Sequence, residues 1–365
     1  MPQFLSWPNT ISTNTIIETI NSMLFHVGCT TPHVSAMSMK AVRYSPDLIF
    51  IHWPDQIFWG SPNHWRLLLR AVRVIGTLTV FRVRGVRVVW IVHNLAPHDL
   101  SRGRAVFWKW YVRILAKLTS GWLTLSPSTS DEVTKMIPDL QRRPSSFIWH
   151  PPYQWNTPAN GQQARATLGF QNDQLLFGHV GLLRPYKGLA DFAELFAQHH
   201  RHNEHLVLAG MIKNEDYKKH LEKICLHNDS IDLRMGELEF HLYNLYLEAL
   251  DIFIAPYHNF LHSGAMIHAL SRGCIVLTRD SVFARDLERA VGSNWVIRFR
   301  GEMDSKVLRT ARARVRQSGE RTPNLAVLQP DANLGRLRDF LERLGVELDK
   351  PSAPRVLGQR SRESG

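Results

Sequence analysis

Arg184 and Lys187 follow Gly181 in the stretch FGHVGLLRPYKGL, residues 177–189. The apolar residues Leu175, Leu176, Phe177 and Val180 predict a strand, and LADFAELFAQ predicts the helix that follows. The turn between them is an anion site, because backbone N–H groups and the helix dipole both favour negative charge there. A diphosphate is the natural ligand: Arg184 can clamp oxygens in a bidentate fork while Lys187 supplies a point charge. A plain turn with solvated cations is the competing reading. A second feature strengthens the first. The predicted strand ALDIFIAPY leads through HNFLHSGAM straight into IHALSRG, so Ser263 and Gly264 fall at a helix start. Serine is a preferred cap there, and glycine lets a ligand approach the backbone closely. Two such sites on strand ends of one domain can hold one diphosphate between them.

Proton-moving groups cluster in the first half. The run LIFIHW (48–53) ends on His52, Trp53, Pro54 and Asp55, and VRVVWIVHN (86–94) ends on His93 and Asn94, followed by His98 and Asp99. If a reaction here needs a base, Asp99, His98, His93 and Asp55 are the candidates. Asp99 is favoured as the one acid in a strongly basic segment. Arginines around it would depress its pKa and make it a poor base unless it is partly desolvated. A structural ion-pair partner is the plainer role for Asp99, as is a satisfied strand-end histidine for His93.

These residues need strands and helices to carry them, and the chain supplies both in alternation. Strands are predicted at PQFLSW, Leu48–Trp53, 86–94, Trp122–Ser126 and 145–153. After an aperiodic PPYQWNTPANG they resume at Leu175–Val180, His205–Gly210, Ser230–Gly236, Ala249–Tyr257, Cys274–Asp280 and Trp295–Phe299. Helices are predicted between them, the first over Ile16–Leu24 with Asn14 or Thr15 as cap. The alternation predicts an α/β fold with two parallel sheets covered by helices on both faces. The first Rossmann-like domain covers 1–155, the second 165–330, a closing helix lies within 331–348, and 349–365 is a polar tail with the composition of a disordered one. In such sheets ligands sit outside the carboxyl ends of the strands, where both histidines fall.

At 365 residues, 44% hydrophobic and 10% aromatic, the composition is globular. Cys29, Cys225 and Cys274 are too far apart in sequence for a metal or redox motif and read as reduced thiols of a cytosolic protein. No apolar run is long enough to span a bilayer, and the N-terminus lacks the order of a signal peptide. The net charge of +12 is unevenly placed. Most of the excess lies between Ser61 and Ser120, interleaved with Trp65, Phe107, Trp108, Trp110 and Tyr111. Arg66, Arg70 and Arg73 share one helical face, as do Lys109, Arg113 and Lys117. This suits an amphipathic surface resting on anionic lipid better than a base-reading device, with ordinary solvated helix faces as the alternative.

Taken together, the glycine turn with its Arg and YKG, the strand-end PY, and SGAMIHALSRGCIVL resemble the GT-B glycosyltransferases, most of all family-4-like members and bacterial exopolysaccharide sugar transferases of the mannosyltransferase type. IHWPD (51–55), VVWIVHNLAPHD (88–99) and FIWHPPY (147–153) add more specific matches to those polysaccharide enzymes, and the resemblance runs from Phe4 to Leu344. It implies two Rossmann-like domains facing each other across a cleft. It further implies transfer of a sugar from a GDP- or UDP-linked donor to a saccharide acceptor, lipid-linked, in exopolysaccharide or cell-surface glycan synthesis. No metal is required, no nucleic acid is bound, and the protein sits at the inner face of the cell membrane. Carried over residue by residue, Gly181, Arg184 and Lys187 bind the donor diphosphate, Ser263 and Gly264 cap its phosphates, and His93 lies near the transferred sugar. Two departures stand out. The family-4 glutamate pair is replaced by Phe260 and His268, and the usual arginine directly after the glycine is Leu182. A non-catalytic nucleotide-binding protein of the same fold is the alternative that the missing glutamates raise.

Overall fold

The computed structural model describes residues 1–9, 15–32, 34–60, 63–97, 100–153, 159–226, 228–318 and 322–348. The predicted cap Asn14 and the tail 349–365 lie outside these residues. The first half runs β1 (Phe4–Trp7), α1 (Ile16–His26), β2 (Leu48–Ile51), α2 (His64–Val83), β3 (Arg87–Ile91), α3 (Arg102–Leu118), β4 (Gly121–Thr124), α4 (Ser130–Met136) and β5 (Ser145–Phe147). The second runs α5 (Gly161–Leu168), β6 (Leu175–Val180), α6 (Leu189–His199), β7 (Glu204–Gly210), α7 (Glu215–Cys225), β8 (Ile231–Met235), α8 (Phe240–Ala249), β9 (Ile252–Ala255), α9 (Gly264–Ser271), β10 (Ile275–Arg279), α10 (Val282–Val291), β11 (Val296–Phe299), α11 (Ser305–Ser318) and α12 (Leu334–Arg343).

Two parallel sheets result, as the alternation predicts. The first has the order β1-β2-β3-β4-β5 and the second β11-β10-β9-β6-β7-β8. Their strands are short apolar runs such as LIFI, buried on both faces, which is the pattern of a sheet sandwiched between helices. Several strands end sooner than the apolar runs suggest. β2 stops at Ile51 and β3 at Ile91, because Pro54 opens a 3-10 turn over Pro54–Phe58 and the chain after Val92 leaves the ladder. That early stop leaves His52, Trp53 and His93 at the rim of the sheet rather than inside it. Thr15 does precede α1, but its side chain makes no capping bond.

One face of the first sheet packs against α2 and α3 through Leu67, Leu78, Trp90, Tyr111 and Leu115. The other face is closed by α1 and by α12, whose Leu337, Phe340 and Leu341 are fully buried with Phe4, Phe50, Val89 and Leu123. The last helix therefore belongs physically to the first sheet, and Arg87 fixes its end by donating to the carbonyls of Leu344 and Gly345. The halves are also tied by side chains. Asp286 of α10, almost fully buried, accepts from the backbone N–H and the hydroxyl of Ser128 at 2.7 and 2.8 Å.

Candidate active site

The strand order of the second sheet reverses between β6 and β9, and an open α/β sheet takes its ligand in the crevice beyond such a point. The turns at Gly181 and Ser263 open there, one after each strand. Gly181 and Gly210 have φ of +117° and +143°, and a Cβ on Gly210 would lie 1.8 Å from the Gly181 carbonyl oxygen. Only glycine lets the β7 end pass this close to the β6 turn. On the other side, Ser263 caps α9, its hydroxyl accepting from the Met266 N–H at 3.3 Å.

Arg184 leads into a 3-10 turn over Pro185–Lys187, and α6 begins only after Gly188. Lys187 is not the hydrated cation that the turn alone suggests. Its side chain is buried, with Nζ 3.0 Å from His179 Nε2 and 5.4 Å from the centre of the Tyr257 ring. His179 donates its Nδ1–H to the Ile254 carbonyl at 2.9 Å, so its Nε2 is the acceptor for the lysine. Burial, and then the nearby Arg184, lowers the Lys187 ammonium to about 7. Burial next to that lysine also keeps His179 well below the usual imidazole range, hence neutral.

The rim of the first sheet is built from neutral rings. His52 Nδ1 lies 3.2 Å from His93 Nε2, and Trp53 stacks on His93 with ring centres 4.1 Å apart. Burial, then the neighbouring His52, His150 and His262, holds His93 well below the imidazole range, and burial takes His52 to about 3. Among the described residues, His52 Nε2 is buried without a hydrogen-bond partner. The two rims meet at His262. Its Nδ1–H donates to the His93 carbonyl at 3.4 Å, while its Nε2 accepts from the Leu125 N–H at 3.2 Å and lies 2.9 Å from the Thr129 hydroxyl. His150, at the end of the first sheet, reaches the start of α9, where a Cβ on Gly264 would come within 2.8 Å of its Nε2.

The positions of the missing glutamates are filled by packing. His268 donates its Nε2–H to Asn244 Oδ1, 2.9 Å away, and its ring stacks with Tyr153 and Tyr243 at 4.2 and 4.9 Å between centres. Phe260 meets Tyr257 and Phe283 edge-on. Of the candidate bases, His98 and Asp99 lie outside the described residues. Asp55 has its carboxyl raised to about 6 by burial, against hydrogen bonds from its own backbone and the Trp59 side chain. Among the described residues, no group of three or more His, Cys, Asp or Glu side chains could hold a metal ion.

Sequence reasoning missed His179, His262 and the Ser128–Asp286 tie. His179 sits inside a strand, where a histidine reads as packing, and His262 lies one residue before the cap that drew attention. What could have flagged both is polarity out of place: His179 interrupts an apolar run, and His262 precedes a helix start with no acid nearby.

The architecture is shared with solved structures, at identities that speak for the fold alone. A sucrose-phosphate synthase from Thermosynechococcus elongatus superposes with a TM-score of 0.65 at 12% identity, covering 94% of this chain and 99% of its own. Anabaena HepE in complex with UDP-glucose gives 0.62 at 13%, covering 94% and 98%. WaaG, a glycosyltransferase involved in lipopolysaccharide biosynthesis, gives 0.57 at 16%, covering 92% and 99%. The fold is therefore GT-B, and the chain is a glycosyltransferase. No family model matches it. It is 26% identical over 309 residues, 83% of this chain and 82% of the other, to the GDP-mannose:glycolipid 4-beta-D-mannosyltransferase of Xanthomonas campestris pv. campestris.

Proposed function

We propose that the enzyme moves a hexose, mannose from GDP-mannose in the first instance, onto a lipid-linked saccharide in exopolysaccharide or cell-surface glycan synthesis. The observation that carries this reading is the pair of turns at Gly181–Lys187 and Ser263–Gly264 flanking the switch point, in a chain similar over most of its length to a GDP-mannose-using enzyme. In the reaction, negative charge grows on the departing diphosphate while the sugar becomes oxocarbenium-like. Arg184, Lys187 and the N–H groups at the start of α9 are aimed at that charge, which is the largest help such a site can give without a metal. His93 lines the sugar side, its ring fixed by Trp53 and His52. A β-linked product from an α-linked donor calls for inversion and hence for a base on the acceptor hydroxyl. Asp99 is proposed for that role, with Asp55, whose carboxyl is near 6, as the second choice.

An anionic membrane surface is proposed as the place of work. Among the described residues no helix is long and apolar enough to cross a membrane. Eight large apolar side chains of α2 and α3 nevertheless face solvent, including Trp65 at 75%, Leu69 at 67% and Val106 at 69% exposure. Two of them, Trp65 and Leu68, line a groove of about 340 Å³ together with Arg104 and Phe107. The basic face is narrower than the sequence suggests. Arg70, Arg73, Arg82 and Arg87 donate to backbone carbonyls, and Arg113 pairs with Asp139. Arg66, Arg102, Lys109 and Lys117 remain on the exposed surface beside the apolar side chains. Cations beside exposed aromatics suit a headgroup layer. The test is a donor screen: the protein with GDP-, UDP- and dTDP-sugars and a lipid-linked saccharide, reading thermal shift and nucleotide release. A shift and transfer with one donor, lost in Lys187→Ala and Arg184→Ala, is expected. A shift without transfer would leave a nucleotide-binding protein without this activity, and no shift with any donor would mean that the two turns hold no diphosphate.

A further inference from the structure

Lys187 is a buried titratable amine. Among the described residues it makes no ion pair. The titratable and charged groups around it are Arg184 and Tyr186 from its own turn, His179 from β6, Tyr257 and His258 from the loop after β9, Tyr243 from α8 beside Gly181, and Asp191 from the first turn of α6. Asp191 is exposed and lies 3.4 Å from His258. Nζ is thus buried between a ring face, a second cation and a nitrogen lone pair. A buried ammonium with no anion is costly, and the usual escape is loss of the proton. The one group shaped to hold Nζ in either state is His179 Nε2, because the Ile254 carbonyl fixes the imidazole as the tautomer whose Nε2 accepts.

We infer that His179 is a positioning residue that holds Lys187 as a proton-poor amine in the empty site, and that the donor's diphosphate turns the pair into a cation site by drawing one proton from solvent onto Nζ. This rests on the donor site proposed above. The resulting cycle is ordered by charge. Binding brings in the anion and the proton together, the ammonium faces the leaving diphosphate as its charge rises on bond cleavage, and the proton leaves again with the nucleotide. The same arrangement discriminates among ligands. A neutral sugar or a nucleoside without phosphates gives no reason to protonate Nζ, so the seat is a cation only for anions. That Lys187 is lowered to about 7 agrees with this reading.

Calorimetric titration of GDP into the full-length protein, in buffers of different ionisation enthalpy at pH 8, tests it. The diphosphate is fully ionised there, so any proton taken up belongs to the protein. Uptake of about 0.9 proton per GDP is expected for a group that titrates near neutrality when the site is empty and above pH 9 when it is filled. Affinity should weaken by about tenfold per pH unit between pH 8 and 9. His179→Gln keeps an acceptor and should retain both the uptake and the slope. His179→Leu should let Nζ swing to solvent, cutting uptake below about 0.2 proton and flattening the slope. A purely structural role for His179 would lower the melting temperature of the leucine variant and leave uptake and slope unchanged, which would overturn the inference. GDP binding by the unaltered protein with no proton uptake and a flat affinity from pH 7.5 to 9 would also overturn it while leaving the donor site standing. No binding of GDP or UDP at all would remove both.

Discussion

On the first sheet the strand ends carry Trp53 and the histidines His52, His93 and His150, which burial keeps neutral; on the second they carry Arg184, Lys187 and the capped start of α9. Both rims come from the same architecture of short parallel strands that stop early and hand over to a loop. They differ in what the loop is asked to meet. The second rim has cations and a capped helix start at a switch point, an arrangement that suits the anion proposed for it. Among the described residues the first rim has no Lys or Arg within its histidine cluster, and its rings are held by one another and by backbone groups. A surface of stacked neutral rings suits the face of a sugar, which is uncharged and has an apolar side. Division of labour in a two-domain transferase thus needs no difference of fold, only a difference in which residues occupy the strand ends.

Four measurements would break or sharpen this contrast. The largest effect is expected from Lys187→Ala, which removes a fixed charge from the leaving group and should lower transfer by about 10²- to 10³-fold, read as initial rate at saturating donor. If the rate falls less than threefold, the second rim is not where the charge develops. Replacing His93 by alanine should reduce the rate by roughly 10- to 100-fold while the GDP dissociation constant stays within about threefold, as the proposed separation of sugar and diphosphate sides requires. Weakened GDP binding in that variant would erase the distinction between the rims.

Acid should also act on the buried histidines of the first rim and of the place where the two rims meet. His52 and His262 are taken to about 3 and His150 to about 4, chiefly by burial. With folded values below the unfolded 6.5, the stability these groups contribute is complete above pH 6.5 and is lost as pH falls from there toward 3–4. For His262 that loss is on the order of 1–2 kcal/mol at pH 5. A protonated His262 would also turn an N–H against the Leu125 N–H it now accepts from. Melting curves at pH 7 and 5 should separate by several degrees, and His262→Gln should narrow the gap. An equal gap in the variant would mean that His262 is not the group being charged. The smallest effect is expected at the membrane: Lys109→Ser should weaken binding to vesicles containing anionic lipid by about fivefold at low salt, one cation's worth near a charged surface. Indifference to lipid charge would take the α2–α3 face out of the acceptor pathway.

The fold was legible because its strands are apolar runs bounded by Gly, Pro and Asn, and a buried parallel strand announces itself by composition alone. So were Gly181 and Ser263, whose turn and cap chemistry is local. What stayed hidden is what distance in sequence conceals. His179 meets a carbonyl 75 residues away at Ile254, and His262 meets Leu125 at a separation of 137. No local pattern encodes such pairings. The burial of Lys187 was hidden for the same reason, since the wall around it comes from β6 and from the loop after β9. The many arginines of 61–120 misled in the opposite direction: their spacing suggested one continuous basic face, whereas several are spent on backbone carbonyls that the fold leaves without partners.

The return of α12 to the first sheet has a mechanical meaning. The polypeptide passes between the two bodies once through the stretch after β5 and a second time on the way from α11 to α12, so they are joined by a double strap. The first body therefore cannot be cut free at the domain boundary without losing Leu337, Phe340 and Leu341 from its own interior, and a fragment ending there should fail to fold without α12 supplied.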